Sequence, residues 1–364
     1  MPKWWKHSRA TSIRWSLASR RLRAPSDRGR KKRIAAFFEN WYDCIASAVL
    51  SCSARARLTS DCLPSAKSTS SQYFSRNVPI EEFFLSASIR PITSTVGLEV
   101  TGLTADDLMK SDSAREIRQL LDRHGVLVYR EINIDDDALL ALSRALGTVV
   151  VQSTGEHRLP EIQTITMDPS KTNAILASYR AGNFHWHIDG ATQVIPQQAT
   201  LLSAREVDPA GGDTEFASTY AAYDGLSDEE KAEFESLEVV HTFGHAQSLA
   251  NPDPDEATRR AWARVPAQVH PLVWTRKNGR KSLLLGATAS EVVGWPIERS
   301  RALLDRLLEW STRPEYVLRQ VWRKGDLVIW DNTGMLHRAT EFEPSSQRLM
   351  HRTTLAGEES VCRG

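Results

Sequence analysis

The residues best suited to chemistry lie in the stretch His185-Trp186-His187-Ile188-Asp189. Read as an extended strand, it sends alternate side chains to opposite faces, so His187 and Asp189 lean off the same face. An imidazole and a carboxylate so placed can take adjacent corners of one metal ion. A third ligand must come from elsewhere in the chain. The best candidate is His337, at the end of Trp330-Asp331-Asn332-Thr333-Gly334-Met335-Leu336-His337. Two histidines and one carboxylate on one side of an ion leave the opposite side open, which is the facial triad of non-haem Fe(II) oxygenases.

A His-x-Asp triplet alone says little in a chain with 10 histidines, and a lone histidine is more often a hydrogen-bonded core residue than a ligand. Three further segments give the reading weight. Gly211-Gly212-Asp213-Thr214 comes soon after the first pair, Trp330-Asp331-Asn332 leads into His337, and Arg348 opens Arg348-Leu349-Met350-His351-Arg352-Thr353-Thr354. These segments, with Asn183-Phe184-His185-Trp186-His187-Ile188-Asp189, Leu201-Leu202-Ser203-Ala204-Arg205, Ala221-Ala222-Tyr223 and Gly325-Asp326-Leu327-Val328-Ile329-Trp330, occur in one order from about Ile89 to Glu359. In that order the chain resembles the taurine dioxygenase / 2,4-dichlorophenoxyacetate dioxygenase family.

The resemblance implies Fe(II) held by His187, Asp189 and His337, with 2-oxoglutarate as cosubstrate and dioxygen as oxidant. It places Thr214 and Arg348 on the distal carboxylate of 2-oxoglutarate, a role that suits a hydroxyl donor and a guanidinium fork. Arg352, four residues on from Arg348, faces the same side but lies roughly 13 Å along a strand. The two arginines are therefore expected to serve different anions, Arg352 taking an anionic group of the primary substrate. Asn183 is placed near that substrate, His185 at the rim, and His351 on the opposite face in a structural role. Trp186 and Trp330 are candidate pocket walls. The sulfonate-binding His and Tyr of taurine-specific enzymes have no clear counterpart in Val149-Val150-Val151-Gln152-Ser153-Thr154, which argues against taurine itself.

The expected reaction is hydroxylation of a C–H in a small anionic organic molecule, of sulfonate, alkyl sulfate or aryloxyalkanoate type, with release of succinate and carbon dioxide. Two alternatives remain. One is a biosynthetic oxygenase or desaturase of the same family acting on a neutral or carrier-bound substrate. The other, outside enzymes, is a catalytically silent sensor of iron and 2-oxoglutarate.

The elements that must position these residues alternate irregularly. Helical spacing runs over Ala114–His124, Asp135–Leu146, Asp255–Arg264 and Glu298–Trp310, and Ser227-Asp228-Glu229-Glu230 is a capping box. Strands are expected at Val126–Tyr129, Ile162–Met167, around His187, and at Thr200–Arg205, Leu283–Leu285, Tyr316–Trp322, Asp326–Trp330 and Arg348–Leu355. Without strict β-α-β alternation, this pattern predicts a mainly β protein with inserted helices, built on a double-stranded β-helix or jelly-roll core.

The 364 residues carry a net charge of +1, which favours no polyanionic partner. The basic residues nevertheless crowd the N-terminus, with about a dozen Lys and Arg in the first 35. Residues 1–85 are expected to be a basic, Ser-rich extension: a disordered arm, a targeting peptide, or translated leader upstream of a true start near Val78. The dioxygenase domain is expected over 86–360. Cys44, Cys52, Cys62 and Cys362 form no Cys-x-x-Cys, so a reducing, cytoplasmic setting fits better than a disulfide framework or zinc cluster. The longest apolar stretch, Ile34–Leu50, is broken by Glu39, Asn40 and Asp43, and no membrane span is expected. The partner is a small molecule, not nucleic acid, and a homo-oligomer is allowed.

Overall fold

The computed structural model describes residues 87–151, 157–168, 171, 181–343 and 345–363. The expected extension, residues 1–85, lies outside them. Among the described residues the strands are β1 (Ser88–Pro91), β2 (Leu98–Thr101), β3 (Val126–Tyr129), β4 (Gln163–Ile165), β5 (Ala199–Glu206), β6 (Thr214–Ser218), β7 (Glu238–His241), β8 (Gln268–Pro271), β9 (Val273–Thr275), β10 (Lys281–Leu283), β11 (Ala289–Val292), β12 (Val317–Gln320), β13 (Leu327–Asp331), β14 (Met335–Ala339) and β15 (Leu349–Leu355). Seven of them form one sheet in the order β1-β2-β3-β13-β5-β15-β4, and a second sheet runs β12-β6-β14. Within these two sheets every pairing is antiparallel except β2 with β3, whose crossover passes through the helix Ser113–His124.

Side-chain alternation decides what each face meets. In β13, Leu327 and Ile329 point to one side, where helices Ser113–His124 and Asp136–Leu146 cover the sheet through Ile117, Leu121, Leu139 and Leu142. Val328 and Trp330 point to the other, against Phe216, Leu318 and Met335 of the small sheet. Strand β3 repeats the division, with Leu127 and Tyr129 toward the helices and Val126 and Val128 inward. Strands buried on both faces read as continuous apolar runs, and β3 and β13 do. Two facing, mostly antiparallel sheets form the jelly-roll expected from the sequence. A third sheet, β11-β7-β8, packs with the helix Ile297–Ser311 in a separate core that includes Val239, Val292, Leu304 and Leu307.

Helix starts follow local chemistry. The Asp135 carboxylate accepts from the Ala138 amide at 2.8 Å, and Ser227 and Glu230 close the expected capping box. Strands β1, β6, β7, β8, β9, β11 and β14 and the helices Ala105–Leu108, Thr219–Asp224 and Phe243–Ala250 were not anticipated. These strands are three to five residues long, too short for periodicity to declare them. The strand expected at Leu283–Leu285 is β10, Lys281–Leu283. Leu284 and Leu285 are buried without belonging to it, so their apolar character records core packing.

Candidate active site

The segment around His187 is not the extended strand that its alternation suggested. A 3-10 turn, Ala181–Phe184, carries Asn183. His187 then makes a single antiparallel bridge with His337, and Asp189 falls in a turn. The bridge is reciprocal: the His187 amide donates to the His337 carbonyl at 3.0 Å and the His337 amide to the His187 carbonyl at 2.9 Å. His337 itself sits in β14, opposite Phe216 of β6. Backbone pairing therefore brings the two imidazoles together, with ring centroids 4.2 Å apart.

Asp189 completes the group. Its Oδ1 lies 3.9 Å from His187 Nε2 and its Oδ2 3.8 Å from His337 Nε2. One ligand atom from each of the three lies within 4.8 Å of the others. The protonation states suit a cation. Burial pushes His337 down to about 3, and burial lowers His187 as well, so both imidazoles are neutral near pH 7. Burial raises the Asp189 carboxyl, but Arg352, the two imidazoles and the Thr200 hydroxyl together hold it down at about 2. Neutral imidazoles and an ionised carboxylate are the forms that bind metal. The His187 Nδ1 position is fixed at 2.8 Å from the His185 carbonyl, so Nε2 is the nitrogen free to ligate. The donor set fits a divalent ion bound on one face.

His187, His337, Thr214, Arg348, Arg352 and Asn183 line one cavity that opens to solvent. Ile165, Phe184, Leu202, Trp330 and Phe342 form much of its apolar wall, and no acidic side chain lines it among the described residues. Arg348 is 4 % exposed, and its only side-chain hydrogen bond among the described residues is from Nε to the Gly212 carbonyl at 3.0 Å. No carboxylate among them pairs with it. Burial pushes its guanidinium down to about 10 despite Asp213 and Asp208. The Thr214 hydroxyl accepts from the Trp322 indole at 3.0 Å, so its own hydrogen is free for another acceptor.

Arg352 Nη1 lies 3.4 Å from Asp189 Oδ2, and both arginines line the same cavity. One sequence expectation needs correction. Trp186 is not among the described wall residues. It packs in the core beneath the Arg338 guanidinium, 4.6 Å from the ring centroid, and only Trp330 forms wall. Of the stretch compared with the taurine-specific residues, 152–154 lie outside the described residues.

His351 does point away from the cavity. Its Nδ1 is 2.6 Å from Asp136 Oδ1, and His157 Nε2 is 3.0 Å from Oδ2. Arg205 Nη2 also reaches Asp136 Oδ1, at 2.7 Å, so this second His-Asp-His group already holds a cation.

Sequence reasoning missed Gly212 and Thr200. Gly212 has φ +75°, its carbonyl holds Arg348, and an added Cβ would lie 2.6 Å from Arg348 Cδ. Thr200 donates to Asp189 Oδ2 at 3.1 Å. The Gly-Gly-Asp-Thr motif signalled the first. Nothing in the local sequence marks a strand threonine like the second.

A jelly-roll on which two histidines and an aspartate converge is the class of non-haem metal oxygenases. The comparisons narrow it. The pattern of the taurine catabolism dioxygenase TauD, TfdA family matches residues 88–354. The 2-oxoglutarate-dependent (alpha-ketoglutarate-dependent) 2,4-dichlorophenoxyacetate dioxygenase of Cupriavidus pinatubonensis is 34% identical over 291 residues, covering 76% of this chain and 100% of the relative. The alpha-ketoglutarate-dependent sulfate ester dioxygenase of Pseudomonas putida is 26% identical over 284 residues, covering 76% and 92%. The crystal structure of AAD-2 with Mn(II) and N-oxalylglycine superimposes with TM-score 0.65 at 31% identity, covering 76% of this chain and 100% of that one. The chain belongs to the TauD/TfdA family and is a dioxygenase that uses Fe(II), 2-oxoglutarate and dioxygen. No helix among the described residues is long and apolar enough to cross a membrane.

Proposed function

We propose that this enzyme hydroxylates a C–H of a small organic anion with an apolar body. In this reading His187, Asp189 and His337 hold Fe(II), Thr214 and Arg348 hold the distal carboxylate of 2-oxoglutarate, and Arg352 with Asn183 receives the anionic group of the primary substrate. The observation that carries it is Arg348, a buried guanidinium with no carboxylate partner among the described residues. A buried cation is costly unless an anion neutralises it, and the cavity it faces offers none. Arg352 supplies a second positive charge to that cavity. Its Nε is buried without a partner among the described residues. A cavity with two cations and no lining carboxylate suits two anions and gives an ammonium group no counter-charge. The apolar wall suits an aryl or alkyl body.

Fe(II), when bound, couples oxidative decarboxylation of 2-oxoglutarate to oxygen insertion into the substrate. The chain's part is placement and exclusion of water. Arg348 and Thr214 fix one end of the cosubstrate, Arg352 fixes the charged end of the substrate, and Leu202, Phe184 and Trp330 keep its body dry. Hydroxylation at a carbon bearing oxygen or sulfur would leave a product that collapses and releases that group.

The test is a panel of aryloxyalkanoates, alkyl sulfates, sulfonates and neutral esters, read by succinate release. Turnover with the anions, abolished in His187→Ala and His337→Ala, is expected. Arg352→Ala is expected to raise KM for the anionic substrate about 10- to 100-fold while changing 2-oxoglutarate affinity little, on the scale of a lost charge-assisted hydrogen bond. Turnover confined to neutral substrates would favour the biosynthetic alternative.

A further inference from the structure

Behind the cavity wall runs a chain of buried hydrogen bonds that ends on Asp189. Trp330 Nε1 lies 2.8 Å from Asn332 Oδ1, Asn332 Nδ2 lies 2.9 Å from Thr200 Oγ1, and Thr200 Oγ1 lies 3.1 Å from Asp189 Oδ2. Trp330, Asn332 and Thr200 are each 1 % exposed or less. The geometry comes from sheet register, since Trp330 and Thr200 are direct partners across β13 and β5. Asn332 is two residues past Trp330, and its amide donates to the Gln198 carbonyl at 3.0 Å.

The polarity of the chain is forced. An indole can only donate, so it must meet the amide oxygen of Asn332, which turns Nδ2 toward Thr200. A hydroxyl that accepts from Nδ2 has one hydrogen left, and the ionised carboxylate of Asp189 can only accept. Every group is satisfied in this one direction. The result grips Oδ2, which also faces Arg352 Nη1, and Oδ1 takes no hydrogen bond among the described residues. The head of the chain lies against the other end of the site, since the Trp330 ring packs on His337 with centroids 4.8 Å apart.

We infer that Thr200 and Asn332 are positioning residues that lock the Asp189 carboxylate in its metal-binding orientation, with the Trp330 indole fixing the direction of the chain. The inference rests on Asp189 being a ligand. Contacts of this kind, made to a ligand and not to the metal, hold the ligand's rotamer before the ion arrives.

The test is titration of the metal-free full-length enzyme with Co(II), followed by its d–d absorption, in Thr200→Val, Thr200→Ser and Asn332→Leu, with far-UV circular dichroism reporting the fold. Thr200→Val keeps the shape and removes the hydroxyl. It is expected to weaken Co(II) binding about 10- to 100-fold and alter the d–d band, whereas Thr200→Ser stays within about threefold of wild type. Asn332→Leu is expected to fall between the two. Wild-type affinity in folded Thr200→Val overturns the inference, as does an equal loss in the Ser and Val variants, which would mean that any change at this position disturbs the site and the hydroxyl has no particular part. If Thr200→Val does not fold, Trp330→Phe carries the test. It removes the heading N–H and keeps a ring in the wall, and unchanged affinity in it overturns the chain. Asp189→Ala separates the two readings. Unchanged Co(II) binding in that variant sinks the ligand assignment, whereas loss there without loss in Thr200→Val sinks the chain alone.

Discussion

At the scale of single residues, the site was legible where chemistry fixes spacing and illegible where it depends on register. His187, Asp189 and Arg348 were marked by the ordered motifs around them, since a His-x-Asp triplet alone says little. Thr200 cannot declare itself, because its partner Asn332 is brought to it by the pairing of β5 with β13. Nor could the chain announce that Arg352 touches Asp189, since that contact crosses from β15 to a turn.

Burial also sets up a titration in the third sheet. His241 is fully buried, bonds Thr288 Oγ1 at 2.9 Å through Nδ1, has no partner on Nε2 among the described residues, and lies 5.6 Å from the His270 ring. Burial, with His270 adding to it, pushes His241 down from 6.5 to about 3. Between those values the unfolded chain takes up a proton that the folded one refuses. The stability linked to neutral His241 is therefore complete above about pH 6.5 and is lost as pH falls toward 3. Urea denaturation at several pH values is expected to show this decline, with a slope of at most about 1.4 kcal/mol per pH unit from this one group. His241→Gln is expected to flatten it.

At the scale of elements, the turn before β6 does more than connect. Gly212 takes φ +75°, offers its carbonyl to Arg348 Nε and leaves no room for a Cβ beside Arg348 Cδ. Gly212→Ala is therefore expected to strain the turn and displace the guanidinium, weakening 2-oxoglutarate binding about tenfold or more. Gly279 is the control, because it has φ +84° and nothing within 4 Å of an added Cβ. Gly279→Ala is expected to cost about 1 kcal/mol of stability and leave cosubstrate affinity unchanged. Thermal denaturation and 2-oxoglutarate titration of both variants check this.

The longer elements were readable for reasons the turn was not. Ile117, Leu120 and Leu121 mark one buried helical face. Val126–Tyr129 is apolar throughout because both of its faces are covered. Strand β14, which carries His337, was missed because Met335, Leu336 and His337 show no alternation of polarity. All three are buried, since the strand lies between β6 and His187.

At the scale of the whole molecule, the two sheets and their covering helices form a frame held by main-chain pairing and two apolar cores. The jelly-roll was legible from irregular strand spacing and the absence of βα alternation. The third sheet was not, because β7, β8 and β11 are short and two of them carry the buried polar residues His241 and His270.

The reciprocal bridge between His187 and His337 has its own consequence. The spacing of those imidazoles is a property of main-chain pairing, so stripping the ion from the enzyme has no reason to melt the place it came from. Treatment with a chelator and resupply of the ion is expected to be a reversible cycle. In hydrogen–deuterium exchange of the stripped enzyme, the amides of residues 187 and 337 are expected to stay among the slow ones. Rapid exchange at both would mean that the ion builds its own seat.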